Sequence, residues 1–454
     1  MDAFFSLQCR SQSALPAQDV AVIGSGISGL SAAWLLARHH RVTLFEALGR
    51  PGGHSNTVLA DDGRGGSVAV DTGFIVYNDG TYPNLGALFS HLGVRTQETV
   101  MSFAVSLDGG GLEYAGKDLA GLFAQRANVL RPRFWSMLRD LLRFYRTAPA
   151  DAALYGQSTL DEYLDARGYG AAFRDDHLYP MAAAVWSTPA AQIGRYPMAA
   201  FVRFCENHHL LALGARPPWR TVAGGSREYV RRMIAALGTG VRLRCAARAL
   251  IRGAKGVTVA TDDGQAPARF DQVVVATHAD EALRLLSDPS PRERRLLGAF
   301  TYSRNRAVLH RDTQFMPRRR AAWSSWNYFA DRRGAGKLCV TYWMNRLQHL
   351  PQHCPLFVTL NPPHDPPGPS IVNVEEYEHP LFDAAALCAQ AQLWSLQGHR
   401  RTWYCGAYFG AGFHEDGLQA GLAVAEAIGG VRRPWSVPQE SGRIPLLTAA
   451  GASP

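Results

Sequence analysis

The chain has 454 residues, 47% of them hydrophobic, with 47 Lys and Arg against 38 Asp and Glu for a formal net charge of +9. That length suits two domains with sizeable cores. Seven scattered cysteines (9, 205, 245, 339, 354, 388, 405) exclude a disulfide framework and a zinc site and fit a reducing cytoplasm. Met1 to Gln18 has no long apolar core of a signal peptide, and no stretch nears the ~20 uninterrupted apolar residues of a membrane span. Three of the basic residues are Lys and 44 are Arg. No nucleic-acid-binding module is visible, so a basic surface favours an anionic membrane or an acidic carrier.

In chain order, Val20 to Ile23 is an apolar run that enters Gly24-Ser25-Gly26-Ile27-Ser28-Gly29, a G-x-G-x-x-G turn. A helical stretch, Leu30 to His39, follows. A second apolar run, Val42 to Phe45, ends at Glu46. This is the order of a βαβ unit that holds a dinucleotide. Gly24 permits the turn, Gly26 lets the backbone approach a pyrophosphate, and Gly29 lets helix and strand pack closely. Ile27 and Ser28 open the helix, whose N–H groups and dipole favour phosphate. Glu46 is placed to accept from ribose hydroxyls.

Glu46-Ala47-Leu48-Gly49-Arg50-Pro51-Gly52-Gly53-His54 resembles the E-A-x-x-R-x-G-G-R segment of the FAD-dependent amine oxidase and phytoene desaturase superfamily. The resemblance implies FAD, held non-covalently, with Arg50 near the pyrophosphate and Gly52 and Gly53 passing beneath the flavin end. His54 stands where the family has Arg or Lys. Val70 to Gly73 resembles the family's next strand and turn. Phe270 to His278, with Ala276 and Thr277, resembles the strand beside the first βαβ unit, and Ala247 lies where a backbone meets the adenine. Arg401 to Tyr408, containing Gly406, and the loop Gly410 to Gly417 resemble the strand, loop and helix that close the flavin site, with Leu418 on that helix. Ala276 to Leu283 (A-T-H-A-D-E-A-L) and Gly412 to Leu418 (G-F-H-E-D-G-L) are similar to a bacterial subgroup associated with cyclopropane-fatty-acid synthase-like proteins.

The implied fold is α/β. A Rossmann-like FAD domain is expected from blocks 19–95, 214–285 and 398–430. An α+β substrate domain with a mixed or antiparallel sheet is expected from 96–213 and 286–397, with flexible tails at 1–18 and 431–454. Strand-like runs at Arg306 to His310, Leu338 to Trp343 and Leu356 to Leu360 suit a wall over the flavin, as do the aromatics Trp323, Trp326, Tyr328, Tyr342 and Trp343. Arg126 to Arg146 reads as a basic amphipathic helix. It either packs an apolar face on the core or lies on a membrane.

The loop at 413–416 is the expected seat of chemistry. His414 is the candidate proton carrier, and Glu415 or Asp416 the candidate partners of ribityl hydroxyls. No metal site is expected. The substrate-domain strand lacks the Lys usual in amine oxidases, and spacing puts Leu418 where a cage Tyr usually stands. The leading expectation is therefore an FAD-dependent oxidoreductase, cytoplasmic or membrane-associated, acting on an apolar, fatty-acyl or other lipid substrate. The alternatives are a flavin amine oxidase and a redox-silent FAD-binding partner of a lipid-modifying enzyme.

Overall fold

A computed structural model of the chain describes residues 16–156, 158–186, 190–207, 210–211, 217–331 and 338–446. β1 (Asp19–Ile23) turns into α1 (Ile27–Leu36) and returns as β2 (Arg41–Phe45). There follow α2 (Pro83–His91), β3 (Phe103–Leu107), β4 (Leu112–Ala115), α3 (Pro132–Asp151), β5 (Val241–Arg242) and β6 (Gln272–Val275). The last part contains β7 (Thr301–His310), β8 (Trp326–Ala330), β9 (Cys339–Trp343), β10 (Phe357–Leu360), β11 (Ile371–Leu381), β12 (Thr402–Tyr404) and α4 (His414–Ile428).

The first sheet is parallel, in the order β5-β2-β1-β6-β12. Its central strands are continuous apolar runs, Val20 to Ile23 and Val273 to Val275, buried throughout because α1 and a three-stranded antiparallel sheet (247–253, 256–261, 268–270) pack against them. The second sheet has seven strands, β11-β7-β10-β9-β8-β3-β4. Only β8 and β3 pair in parallel, so this sheet is mixed, as the three apolar runs in the sequence led us to expect.

α4 lies directly on α1. A Cβ at Gly417 would come within 2.8 Å of Ser28 Oγ, and one at Gly421 within 2.2 Å of the Ser28 carbonyl oxygen. Small residues at this crossing let the two helices run side by side with their N-termini at the same end of the sheet. Two sets of unpaired helix-start N–H groups therefore converge.

The C-terminal segment corrects one expectation. Its Pro, Gly and Ala content suggested a loose tail after Val431, but residues 431–446 are packed down. Arg433 is 2% exposed, donates to Glu426 (Nε to Oε1, 2.8 Å) and to Asn84 Oδ1 (3.0 Å), and Trp435 stacks on Trp34 with ring centroids 5.9 Å apart. One aromatic ring and one buried ion pair anchor a stretch whose composition alone reads as coil. Residues 1–15 and 447–454 lie outside the described residues.

Candidate functional site

The site begins at the glycine turn. Gly24 has φ +98°, and a Cβ there would meet the Ala276 carbonyl oxygen at 2.9 Å. A Cβ on Gly29 would sit 1.8 Å from the Gly24 oxygen, so only glycine permits helix and turn to meet. Gly26 is different. Its φ of −64° and ψ of 177° suit any residue, and a Cβ built there meets nothing within 4 Å. The protein's own packing does not require glycine at this position. The open space lies over the start of α1, which has no side-chain cap and no acid in its first turn. An uncapped helix start facing open space fits a phosphate-bearing ligand.

Glu46 ends β2, 9% exposed. Oε2 accepts from Ser25 N (3.0 Å) and from the Ser25 hydroxyl, and Oε1 accepts from Leu48 N (2.8 Å). Oε2 thus accepts two hydrogen bonds, and Oε1 keeps a lone pair for a further donor such as a ribose hydroxyl. Ala47 is exposed beside it. Ala247 starts a strand two residues beyond Cys245, whose N–H bonds the Glu46 carbonyl, so its backbone lies beside the acid's strand. Arg50 donates to the Gly53 carbonyl (2.8 Å) and reaches Glu375 at 3.7 Å, tying the loop to the second sheet. Gly52 and Gly53 have φ of +113° and +56°, and a Cβ on Gly53 would touch Gly26 at 3.0 Å. Gly73 is pressed on the His54 carbonyl, 2.2 Å from a would-be Cβ. Ala276 and Thr277 continue β6 past the same end, with Ala276 N on the Ile23 carbonyl (2.8 Å). Gly406 leaves β12 under the Tyr408 ring. The structure thus gathers all these residues at one end of the parallel sheet.

The second sheet closes over that end with groups that the local motifs do not reveal. His54 lies between Tyr377 (ring centroids 4.9 Å) and His379 (5.3 Å), and Asn305 bonds His379 Nδ1 at 3.0 Å. Strand register explains the meeting, because Asn305 and Ser303 of β7 pair with Tyr377 and His379 of β11. Burial holds His54 well below the usual imidazole range, reinforced by His379, His278 and His414. Burial, with His278 nearby, lowers His379 to about 4. Yet His54, His379 and His414 all keep some accessible surface. His54 Nε2 and the Tyr408 hydroxyl find no hydrogen-bond partner among the described residues, as expected of groups facing a bound molecule. The set fits FAD: phosphate at α1, ribose at Glu46, and the flavin end between His54, Gly73 and the start of α4. The described residues contain no cluster of His, Cys, Asp and Glu able to hold a metal.

The loop roles expected from the sequence need correction. His414 stacks on Phe74 with centroids 3.8 Å apart, and its Nε2 meets the Ser55 hydroxyl (2.9 Å) and the Tyr229 hydroxyl (3.1 Å). Burial lowers its pKa to about 3. Two hydroxyls and a stacked phenyl fix this ring, and burial keeps it neutral near pH 7. Glu415 caps α2, accepting from Asn84 N (3.0 Å) and Leu85 N (3.0 Å), and takes Gln419 Nε2 (2.9 Å). Asp416 accepts from Phe413 N (2.8 Å) and pairs with Arg443 (3.3 Å). Both carboxylates are engaged by the protein's own groups. Leu418 is fully buried in α4, so the aromatic side chain at the helix start is Phe413, stacked on Phe204 at 5.0 Å.

Fold and site define a protein whose parallel and mixed sheets meet at a place fitted to a dinucleotide cofactor. The chain belongs to the flavin-containing amine oxidoreductase family, whose model matches residues 27–342. The family is one of FAD-dependent oxidoreductases, and FAD is the cofactor. Over 283 residues the chain is 30% identical to the Mycobacterium tuberculosis protein named "Putative flavin-containing monoamine oxidase AofH", a match spanning 60% of this chain and 59% of that relative. Among solved structures, it superposes on cyclohexylamine oxidase from Brevibacterium oxydans with a TM-score of 0.65 at 16% identity, covering 91% of this chain and 100% of that one. It also superposes on a fatty acid isomerase from P. acnes that produces CLA, with a TM-score of 0.64 at 15% identity, covering 90% and 97%. At these identities the two superpositions carry the fold alone.

Proposed function

We propose that this protein oxidises an apolar substrate, a fatty-acyl or other lipid chain, by hydride transfer to FAD. FAD, when bound, supplies the hydride acceptor, and oxygen or a quinone-like acceptor returns it to the oxidised state. The observation that carries the reading is a run of rings leading away from the cofactor loop. Phe413 stacks on Phe204 at 5.0 Å, Phe204 meets Trp186 at 4.3 Å, and Trp186 meets Tyr196 at 5.2 Å and Phe201 at 5.6 Å. Such a wall excludes water and favours an alkyl or isoprenoid chain. The electrostatics support the same choice. Glu415 and Asp416 are occupied within the protein, and His54, His379 and His414 are neutral, so an ammonium group would find no counter-charge on the loop.

The second reading, oxidation of a primary or secondary amine to an imine with release of peroxide, is favoured by the relative named as a monoamine oxidase. Oxygen consumption with a panel of long-chain acyl compounds and amines separates the two. Turnover is expected with acyl chains. Phe204→Leu should lower it several-fold while leaving FAD bound, because it removes a ring of the wall and keeps the site apolar. Turnover of amines with none of the acyl compounds would contradict the proposal.

A further inference from the structure

The helix that the sequence marked as either core or membrane-facing has one packed face and one exposed face. The inner face of α3 is spent on packing, with Phe134, Met137, Phe144 and Ala148 buried. Its outer face carries Trp135, Arg139, Leu142 and Arg146, whose spacing of four, three and four places them on one stripe. Trp135 is 49% exposed and Leu142 40%. The turn that enters the helix adds Leu119 at 75%, Val129 at 49% and Leu130 at 85% exposure. These groups adjoin: the Trp135 indole donates to the Val129 carbonyl (2.8 Å), and Phe123 packs against the Trp135 ring at 5.9 Å.

Residues 117–146 hold seven basic side chains against two acids, Asp118 and Asp140. Asp140 offsets part of the charge, pairing with Arg139 (3.3 Å) and Arg143 (3.7 Å), and Arg133 pairs with Asp176 (2.7 Å). Asp118 accepts from Gly121 N as the cap of a short helix, and Asp140 is 1% exposed and accepts from Gly170 N. No ion pair among the described residues involves Arg126 or Arg146. The corner is therefore apolar at its tips and basic around them.

We propose that this corner, residues 117–146, docks on an anionic lipid bilayer. Single leucines and an indole standing out among arginines suit shallow insertion between anionic headgroups, which demands no matching shape from the partner. No helix of the described residues is long and apolar enough to cross a membrane, so the contact is peripheral. The inference rests on surface exposure and charge and is independent of the substrate reading.

The test uses the FAD-loaded full chain with vesicles of phosphatidylcholine alone or mixed with phosphatidylglycerol. Co-sedimentation is expected with the mixed vesicles only, and high salt should release the protein. Leu119→Asp with Leu130→Asp should weaken binding about tenfold or more, as should Arg139→Glu with Arg146→Glu, while Arg139→Lys with Arg146→Lys retains it. All four positions lie away from the cofactor, so the flavin spectrum should stay that of the parent. A Leu130→Cys variant carrying an environment-sensitive dye should shift to the blue on the mixed vesicles. Sedimentation with neither vesicle, equal sedimentation with both, or binding unaffected by the two aspartates would overturn the proposal. So would binding to a soluble polyanion such as heparin without binding to vesicles, which would assign the corner to an acidic macromolecule.

Discussion

Gly29→Val is expected to damage the fold, whereas Gly26→Val should leave the fold intact and remove FAD. The two glycines lie three residues apart in one turn, but their surroundings differ. At Gly29 any Cβ falls 1.8 Å from the Gly24 carbonyl oxygen and 3.1 Å from Ala276 Cβ, both in the packed seam between α1, β1 and β6. Valine can fit only by driving the helix off the sheet, at a cost of more than about 3 kcal/mol. At Gly26 the backbone already has dihedrals that valine adopts, and the space above is open. The flavin-free Gly26→Val protein should stay within about 1 kcal/mol of its parent, because the change adds no clash and restricts the unfolded chain. Its side chain then occupies the approach to the uncapped helix start, and FAD affinity should fall by at least about a hundredfold through lost helix-terminus contacts and steric exclusion. Urea unfolding of the flavin-free proteins measures the first effect, and fluorescence titration with FAD the second. A Gly26→Val protein that binds FAD as its parent does would remove the phosphate site from α1.

The second large effect is acid lability. Burial holds His310 and His379 at about 4 and His414 at about 3 in the folded protein. An unfolded chain returns each to about 6.5. Between those values the unfolded state binds the extra protons, so stability is complete above about pH 6.5 and falls as pH drops toward 4. Each histidine contributes roughly 1.4 kcal/mol of loss per pH unit. Asp71 acts in the opposite sense: burial raises it to about 6, so the folded state holds one more proton than the unfolded state between about 4 and 6. His54, held low by burial, adds to the loss and Asp416, raised by burial, subtracts from it, so roughly two net protons remain, and by pH 5 the loss is several kcal/mol, a large share of an ordinary protein's 5–15 kcal/mol. The melting temperature should therefore fall steeply between pH 6.5 and 5, with flavin released because His379 and His414 border its space. His310→Gln should make the decline shallower by about one proton. A melting temperature flat across this range would contradict the burial of these rings.

The cofactor site was legible where its residues are close in sequence. The turn at Gly24 to Gly29, the acid at Glu46 and the pair Gly52-Gly53 act through local backbone geometry, which short motifs encode. The opposite wall is not local. Tyr377 and His379 meet His54, with Asn305 bonded to His379, only because β7 and β11 pair over ten residues, and no spacing in the chain announces that register. The same holds for His414. Its place in the loop was legible, but its chemistry is set by Ser55, Tyr229 and Phe74, from segments far away in sequence. Glu415 shows the complementary failure. An acid at a helix start invites a role toward the cofactor, yet here it caps α2. The packed segment at 431–446 was misread because composition averages over Arg433 and Trp435, the two side chains that hold it.

Anaerobic titration of the bound flavin tests the central claim most directly, since it reads electron arrival without depending on the acceptor. Long-chain acyl compounds should bleach the oxidised flavin absorbance in proportion to the amount added, and amines should leave it unchanged. Bleaching by amines, with no response to any acyl or other lipid compound, would contradict the account.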